Sequence, residues 1–278
     1  MMKIMKGAFY VLKIIRSQLY QLVVDKAVFL ILLIYILMDI HSLMELLSDI
    51  SLSGETVSGG KAFALWSSAT DVIIMLMTAL IMVKDQSDKT INYEILSGKS
   101  RASVFFGRYV TAFGLCALMA VIEVWSVPIA FTVKNGWGSE LKFSEALIRT
   151  LLILMFVFRV SAETALFSVL FKKRKALVFF AYLPVIAFDS MLAGWLTSVV
   201  EMSDSPKKVL DWMSLLMIVL CDDVTGFELT NVLGSDGKAA IRYTGIPGHM
   251  GILLLSGLGL GVLFLMSGYM IFRKRDME

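Results

Sequence analysis

The sequence predicts an all-α polytopic membrane protein, with six transmembrane helices behind an N-terminal amphipathic helix that lies on the membrane and both termini inside. Three observations predict it. The 278 residues are 58% hydrophobic and only 18% charged, where a soluble domain carries about 45–50% apolar and about 25% charged residues. The apolar residues fall in long blocks, several of them beyond the roughly 18–20 residues that cross a bilayer. Lysine and arginine gather on one side of those blocks. A soluble enzyme, a secreted disulfide scaffold and a disordered regulator are excluded by this pattern. The net charge of +3 is too small to mark a nucleic-acid partner, and none is expected. Residues 1–278 are read as a single transmembrane domain.

Residues 3–23 read as a helix on the membrane surface. Ile4, Ala8, Val11, Leu12, Ile15, Leu19 and Leu22 recur at three- and four-residue steps, and Lys3, Lys6, Lys13, Arg16 and Ser17 fall on the other side. A basic amphipathic helix of this kind suits the anionic headgroup layer. No short apolar region ending in a small-residue cleavage site is visible, so the first block is expected to stay in the mature protein. The spans are placed at about 27–46, 63–83, 104–132, 146–171, 176–200 and 250–272. The third is longer than a span needs, and Arg108 near its start is expected to reach back toward headgroups. Lys172, Lys173, Arg174 and Lys175 make a tight basic hairpin between the fourth and fifth, and Pro184 is expected to kink the fifth. The segment 201–249 falls outside. Its apolar stretch Val209–Leu220 is too short to cross, which leaves a re-entrant helix and a small external subdomain both open.

Orientation follows from the basic residues. With the N-terminus inside, the inner stretches hold Lys3, Lys6, Lys13, Arg16, Lys26, Lys84, Lys89, Lys99, Arg101, the four-residue hairpin, and Arg273, Lys274 and Arg275. The outer loops are longer and hold Lys61, Lys134, Lys142, Lys207, Lys208, Lys238 and Arg242. The positive-inside rule therefore places both termini in the cytoplasm, and an even number of spans agrees.

Few residues carry chemistry. Ser97–Ser100 (SGKS) resembles the end of a phosphate-binding loop, but the glycine required five positions before Gly98 is Tyr93. No nucleotide site is expected on this chain, so any ATP must be bound by another polypeptide. His41 and His249 have no neighbouring glutamate, and Cys116 and Cys221 lack metal-ligand spacing. No metal and no catalytic residue is expected. Charges at bilayer depth weigh more, because they are costly unless they face protein or water. Arg159 in the fourth span and Asp189 in the fifth both fall near mid-membrane on neighbouring antiparallel spans, and Glu163 lies one turn from Arg159. They read either as a buried pair that fixes helix register or as a polar lining of a transport path. Glu123, Asp39 and Asp71 sit nearer the outer ends of their spans. Gly257 and Gly261 form a GxxxG that permits close helix approach, read as packing within the chain.

The most specific stretch is residues 84–110, KDQSDKTINYEILSGKSRASVFFGRYV. A short helix is expected there, capped by Asp88 or Thr90 and ended at Gly98 in the left-handed conformation. Ile91, Ile95 and Leu96 make an apolar knob flanked by Glu94, Lys99 and Arg101. An amphipathic helix between two spans is built to sit in a groove on another protein.

On these residues the chain resembles the permease subunits of type-2 exporter-class ABC transporters. Those subunits share the interfacial helix and six spans. They carry Gly-Thr, an apolar helix and Leu-x-Ser/Pro-x-x-x-Arg between the second and third spans. Here Lys89-Thr90 stands for Gly-Thr, Leu96-Ser97 is present, Arg101 holds the basic position, and Arg108-Tyr109 matches the basic–aromatic start of the third span. Gly98 is inserted. The resemblance implies a separate cytosolic ABC ATPase dimer that binds ATP and Mg, coupled through Thr90, Ile91, Glu94, Ile95, Leu96, Lys99 and Arg101 in the 84–103 loop. It implies a second permease copy or paralogue, and a place in the bacterial plasma membrane. Small permeases of this class commonly export peptides or confer protection against them, which suggests a peptide or hydrophobic amphiphile as cargo. Two readings stand beside it: an ion-coupled secondary transporter that uses Arg159, Glu163 and Asp189, and a non-transporting anchor or sensor.

Overall fold

Long apolar segments leave the backbone no partner but itself, so they fold as helices that end where a capping residue or a glycine intervenes. The computed structural model describes residues 2–53, 56–65, 70–87, 90–139, 141–171, 228–233, 239–244 and 250–274. Helix α1 (Met2–Val24) and helix α2 (Lys26–Ser53) are parted by Asp25 alone. The Asp25 carboxylate accepts the Ala27 N–H at 2.9 Å and so caps α2. Two described helices fall across the second predicted span, with residues 66–69 between them outside the described residues. Helix α3 (Gly59–Leu65) precedes helix α4 (Thr70–Ser87), and Ser58 Oγ accepts the Lys61 N–H at 3.2 Å at the start of α3.

Helix α5 (Thr90–Leu96) leads to the long helix α6 (Arg101–Asn135). Ser100 caps α6 by accepting the Ser103 N–H at 3.1 Å, so the helix begins at Arg101, three residues before the expected start of the span. Helix α6 ends on Gly136 at φ +78°, whose N–H reaches the Thr132 carbonyl. Its 35 residues make about 52 Å of helix at about 1.5 Å per residue, well beyond the roughly 30 Å of a hydrocarbon core. Helix α7 (Phe143–Leu170) starts where Glu145 Oε2 accepts the Lys142 N–H at 3.2 Å.

Strands β1 (Glu228–Leu233) and β2 (Ala239–Thr244) pair antiparallel from Glu228 opposite Thr244 to Leu233 opposite Ala239. Helix α8 (Met250–Lys274) closes the chain. The described chain is thus helical apart from this hairpin, which the all-α expectation did not include and which lies in the predicted 201–249 segment. The fifth predicted span at 176–200, with Pro184 and Asp189, lies outside the described residues, as does Val209–Leu220. Among the described residues α6 and α7 are long and apolar enough to cross a membrane.

Helix α7 is the centre of the packing, with α4, α6 and α8 against it. The middle of the core joins Tyr35 of α2, Met77 of α4, Cys116 of α6 and Phe156, Val157 and Val160 of α7. A second cluster joins Ile14 of α1, Phe105 and Tyr109 of α6, Ala165 and Val169 of α7 and Phe272 of α8. At the other end Phe63, Trp125, Trp137 and Phe143 pack ring against ring. There Gly59 and Gly60 donate their N–H groups to the carbonyls of Gly136 and Trp137, which binds α3 to the α6–α7 connection.

The glycines of α8 let it lie directly on α7. A Cβ on Gly257 would come within 2.7 Å of Met155, and one on Gly261 within 2.5 Å of Phe158. The GxxxG motif therefore serves packing within the chain, as the sequence reading expects. Outward faces are apolar along most of their length, with Leu30, Leu37, Leu118, Ile129, Leu151 and Val262 all exposed.

Candidate functional site

The stretch between α4 and α6 places most of the residues picked out from sequence. Helix α5 ends by local geometry: Gly98 stands at φ +89° and its N–H reaches the Ile95 carbonyl at 2.9 Å. That is the left-handed terminus the sequence predicts. Ser97 closes the turn from the side, its Oγ donating to the Glu94 carbonyl at 2.7 Å. Thr90 opens α5 and Ile91 follows it; their side chains, and Asp88, lie outside the described residues.

The apolar knob is divided. Ile95 is half-buried and packs into the cluster of Ile14, Phe105 and Phe272, whereas Leu96 is 81% exposed. Tyr93, at the position where a phosphate loop would need glycine, stands exposed beside it at 72%. Positions three apart share a helix face, so Tyr93 and Leu96 together form the outward edge of α5. An i, i+3 pair of large apolar side chains was the signal available in the sequence.

The charged residues turn inward. Glu94 accepts from Lys99 Nζ at 3.0 Å on one carboxylate oxygen and from Arg108 Nη2 at 2.9 Å on the other. Arg108 is only 2% exposed. It is therefore held inside the protein against α5 and does not extend to headgroups as its position in the sequence suggests. No helical spacing relates residues 94 and 108, because the chain reverses at Gly98 between them. Arg101 donates to the backbone carbonyl of Arg273 at the end of α8, satisfying one of the carbonyls a helix C-terminus leaves open. Its side chain thus serves an internal contact.

Helix α1 reaches the same place. Ile14 is fully buried, and a Cβ on Gly107 of α6 would lie 2.9 Å from its Cγ2. Among the described side chains of α1, Ile14 and Gln18 are buried, while Leu12 and Leu19 of the predicted apolar face are exposed. The helix has three faces where the sequence suggested two. One lies on α6, one presents apolar side chains outward, and one carries the exposed Lys13 and Arg16. The first two turns of α6 consequently gather α1, α5 and α8, with Phe105 against the rings of Tyr269 and Phe272.

Within the bundle, Arg159 and Glu163 are both buried on α7, one turn apart. Asp189, their predicted neighbour, lies outside the described residues. A further buried polar contact lies between α2 and α6. Tyr35 of α2 donates to Glu123 Oε2 of α6 at 2.8 Å and lies 3.1 Å from the Met119 carbonyl. Eighty-eight positions separate Tyr35 and Glu123, so no local pattern announces the pair.

No protein-family model matches the chain, and no curated protein matches it.

Proposed function

We propose that the chain is the permease subunit of an ATP-driven transporter of the type-2 ABC exporter class. In this reading six spans cross a bacterial plasma membrane with both termini in the cytoplasm. A separate cytosolic ATPase dimer binds ATP and Mg, and a second permease copy or paralogue completes the path. The cargo is a peptide or hydrophobic amphiphile. The observation that carries the reading is α5. It is a short helix between two apolar helices, ended by a left-handed glycine, with Tyr93 and Leu96 turned outward and Glu94 tied to α6. Such an edge gives a partner something to push against, and the bond to α6 gives the push a route into the bundle.

Other features support the same reading. The outward faces of α2, α6, α7 and α8 are too apolar for water but suit lipid. Helix α1 offers apolar and basic outward faces, as a helix in the headgroup layer requires. Arg159 and Glu163 are buried inside the bundle, where charge removed from water is costly unless it is partnered.

The test is affinity purification of the full chain from native membranes in mild detergent, with bound proteins identified by mass spectrometry. A stoichiometric P-loop ATPase is the expected result, and a second permease in the eluate would establish heteromeric assembly. Reproducible recovery of the intact chain without an ATPase refutes the reading and favours ion coupling or an anchor.

A further inference from the structure

The turn between α5 and α6 folds back on a single residue. The Glu94 carboxylate receives Lys99 Nζ and Arg108 Nη2, and its backbone carbonyl receives Ser97 Oγ at 2.7 Å and the Lys99 N–H at 3.3 Å. Only the Arg108 contact leaves the loop; the other three close it on itself. Arg108 is almost wholly buried while the Glu94 side chain is 16% exposed. The ion pair therefore sits where water screens it little, and bonds between charged partners are the stronger kind. Ile95 adds an apolar anchor one residue further on. Tyr93, just before these anchors in the chain, and Leu96, just after them, remain exposed on one face.

We propose that Glu94 is a positioning residue: through Arg108 it fixes α5 on α6 and so presents Tyr93 and Leu96 as a preformed edge for the ATPase. The partner in this statement rests on the permease reading above; the fixing of α5 does not. A seven-residue helix is too short to hold itself in water. An edge that had to order on contact would bind more weakly, because ordering opposes association.

The experiment compares the full-length chain with Glu94→Gln, Arg108→Lys and Leu96→Asp variants. Amide exchange over residues 93–99 and the ATPase retained in the same detergent pull-down are both measured. Unchanged exchange in the middle of α7 is the control for folding. Glu94→Gln is expected to speed exchange over 93–99 about 10-fold, the size of one lost charge-assisted hydrogen bond, and to lower ATPase recovery. Arg108→Lys, which keeps the charge, is expected to retain most of both. Leu96→Asp is expected to lose the ATPase while exchange stays slow, which separates contact from positioning. The proposal is overturned if Glu94→Gln leaves exchange unchanged, or if exchange rises and ATPase recovery does not fall. A wild-type chain that binds no ATPase while Glu94→Gln still speeds exchange overturns the permease reading instead, and removes the partner from this role.

Discussion

Replacing Gly261 with alanine tests how α8 lies on α7. A Cβ there would stand 2.5 Å from Phe158 Cε1 and 2.7 Å from its Cδ1, far inside van der Waals contact, so the ring or the helix must move. Overpacking of this kind costs about 1–3 kcal/mol. Alanine in place of a helical glycine returns up to about 1 kcal/mol, which leaves a net loss of up to about 2 kcal/mol. Gly259 provides the control two residues away, because no atom of the described residues lies within 4 Å of its Cβ position. Gly259→Ala keeps the propensity gain without the clash and should be neutral or stabilising by up to about 1 kcal/mol. Combining Gly261→Ala with Phe158→Ala removes the obstacle, so the two changes should couple by about 1–3 kcal/mol. Unfolding in mixed micelles, followed by tryptophan fluorescence, measures the wild type, the Gly259→Ala, Gly261→Ala and Phe158→Ala single variants, and the double variant. Equal losses from Gly259→Ala and Gly261→Ala, or no coupling with Phe158, would refute the packing described.

Three further outcomes follow from the same structure. Tyr35→Phe removes the donor that Glu123 and the Met119 carbonyl share; it should cost about 1–3 kcal/mol in the same unfolding assay, and an unchanged midpoint would argue against the α2–α6 contact. Gly98→Ala forces an alanine to φ +89° in otherwise open space, a strain of about 1–2 kcal/mol that should show as faster amide exchange over 93–99, with Gly98→Asn milder. Ile95→Asp should lower stability because that side chain packs into the body, whereas Leu96→Asp should leave the unfolding midpoint in place; equal effects would show that the two residues do not face opposite ways.

How far the sequence discloses this arrangement depends on whether a feature is local. The helices at 101–135, 143–170 and 250–274 follow from apolar runs, because a backbone in such a run must bond to itself. The end of α5 at Gly98 follows from one residue's freedom at positive φ. Side-chain direction does not follow in the same way. Ile95 and Leu96 are adjacent and equally apolar, and only the positions of α1, α6 and α8 decide that one turns in and the other out. The same holds for α1, where Leu22 of the predicted face packs into the core but Ile14, off that face, is fully buried because Gly107 leaves a groove at that point. Arg108 illustrates the limit most clearly. By sequence it is a basic residue at the start of an apolar run, a position that suits snorkelling to headgroups. The reversal at Gly98 instead carries Glu94 back alongside it, 2.9 Å away, and because Arg108 is buried, removing either partner would leave the other charge uncompensated. The feature that ties the loop to the bundle thus arises from two residues fourteen positions apart, and it exists only because a single glycine turns the chain.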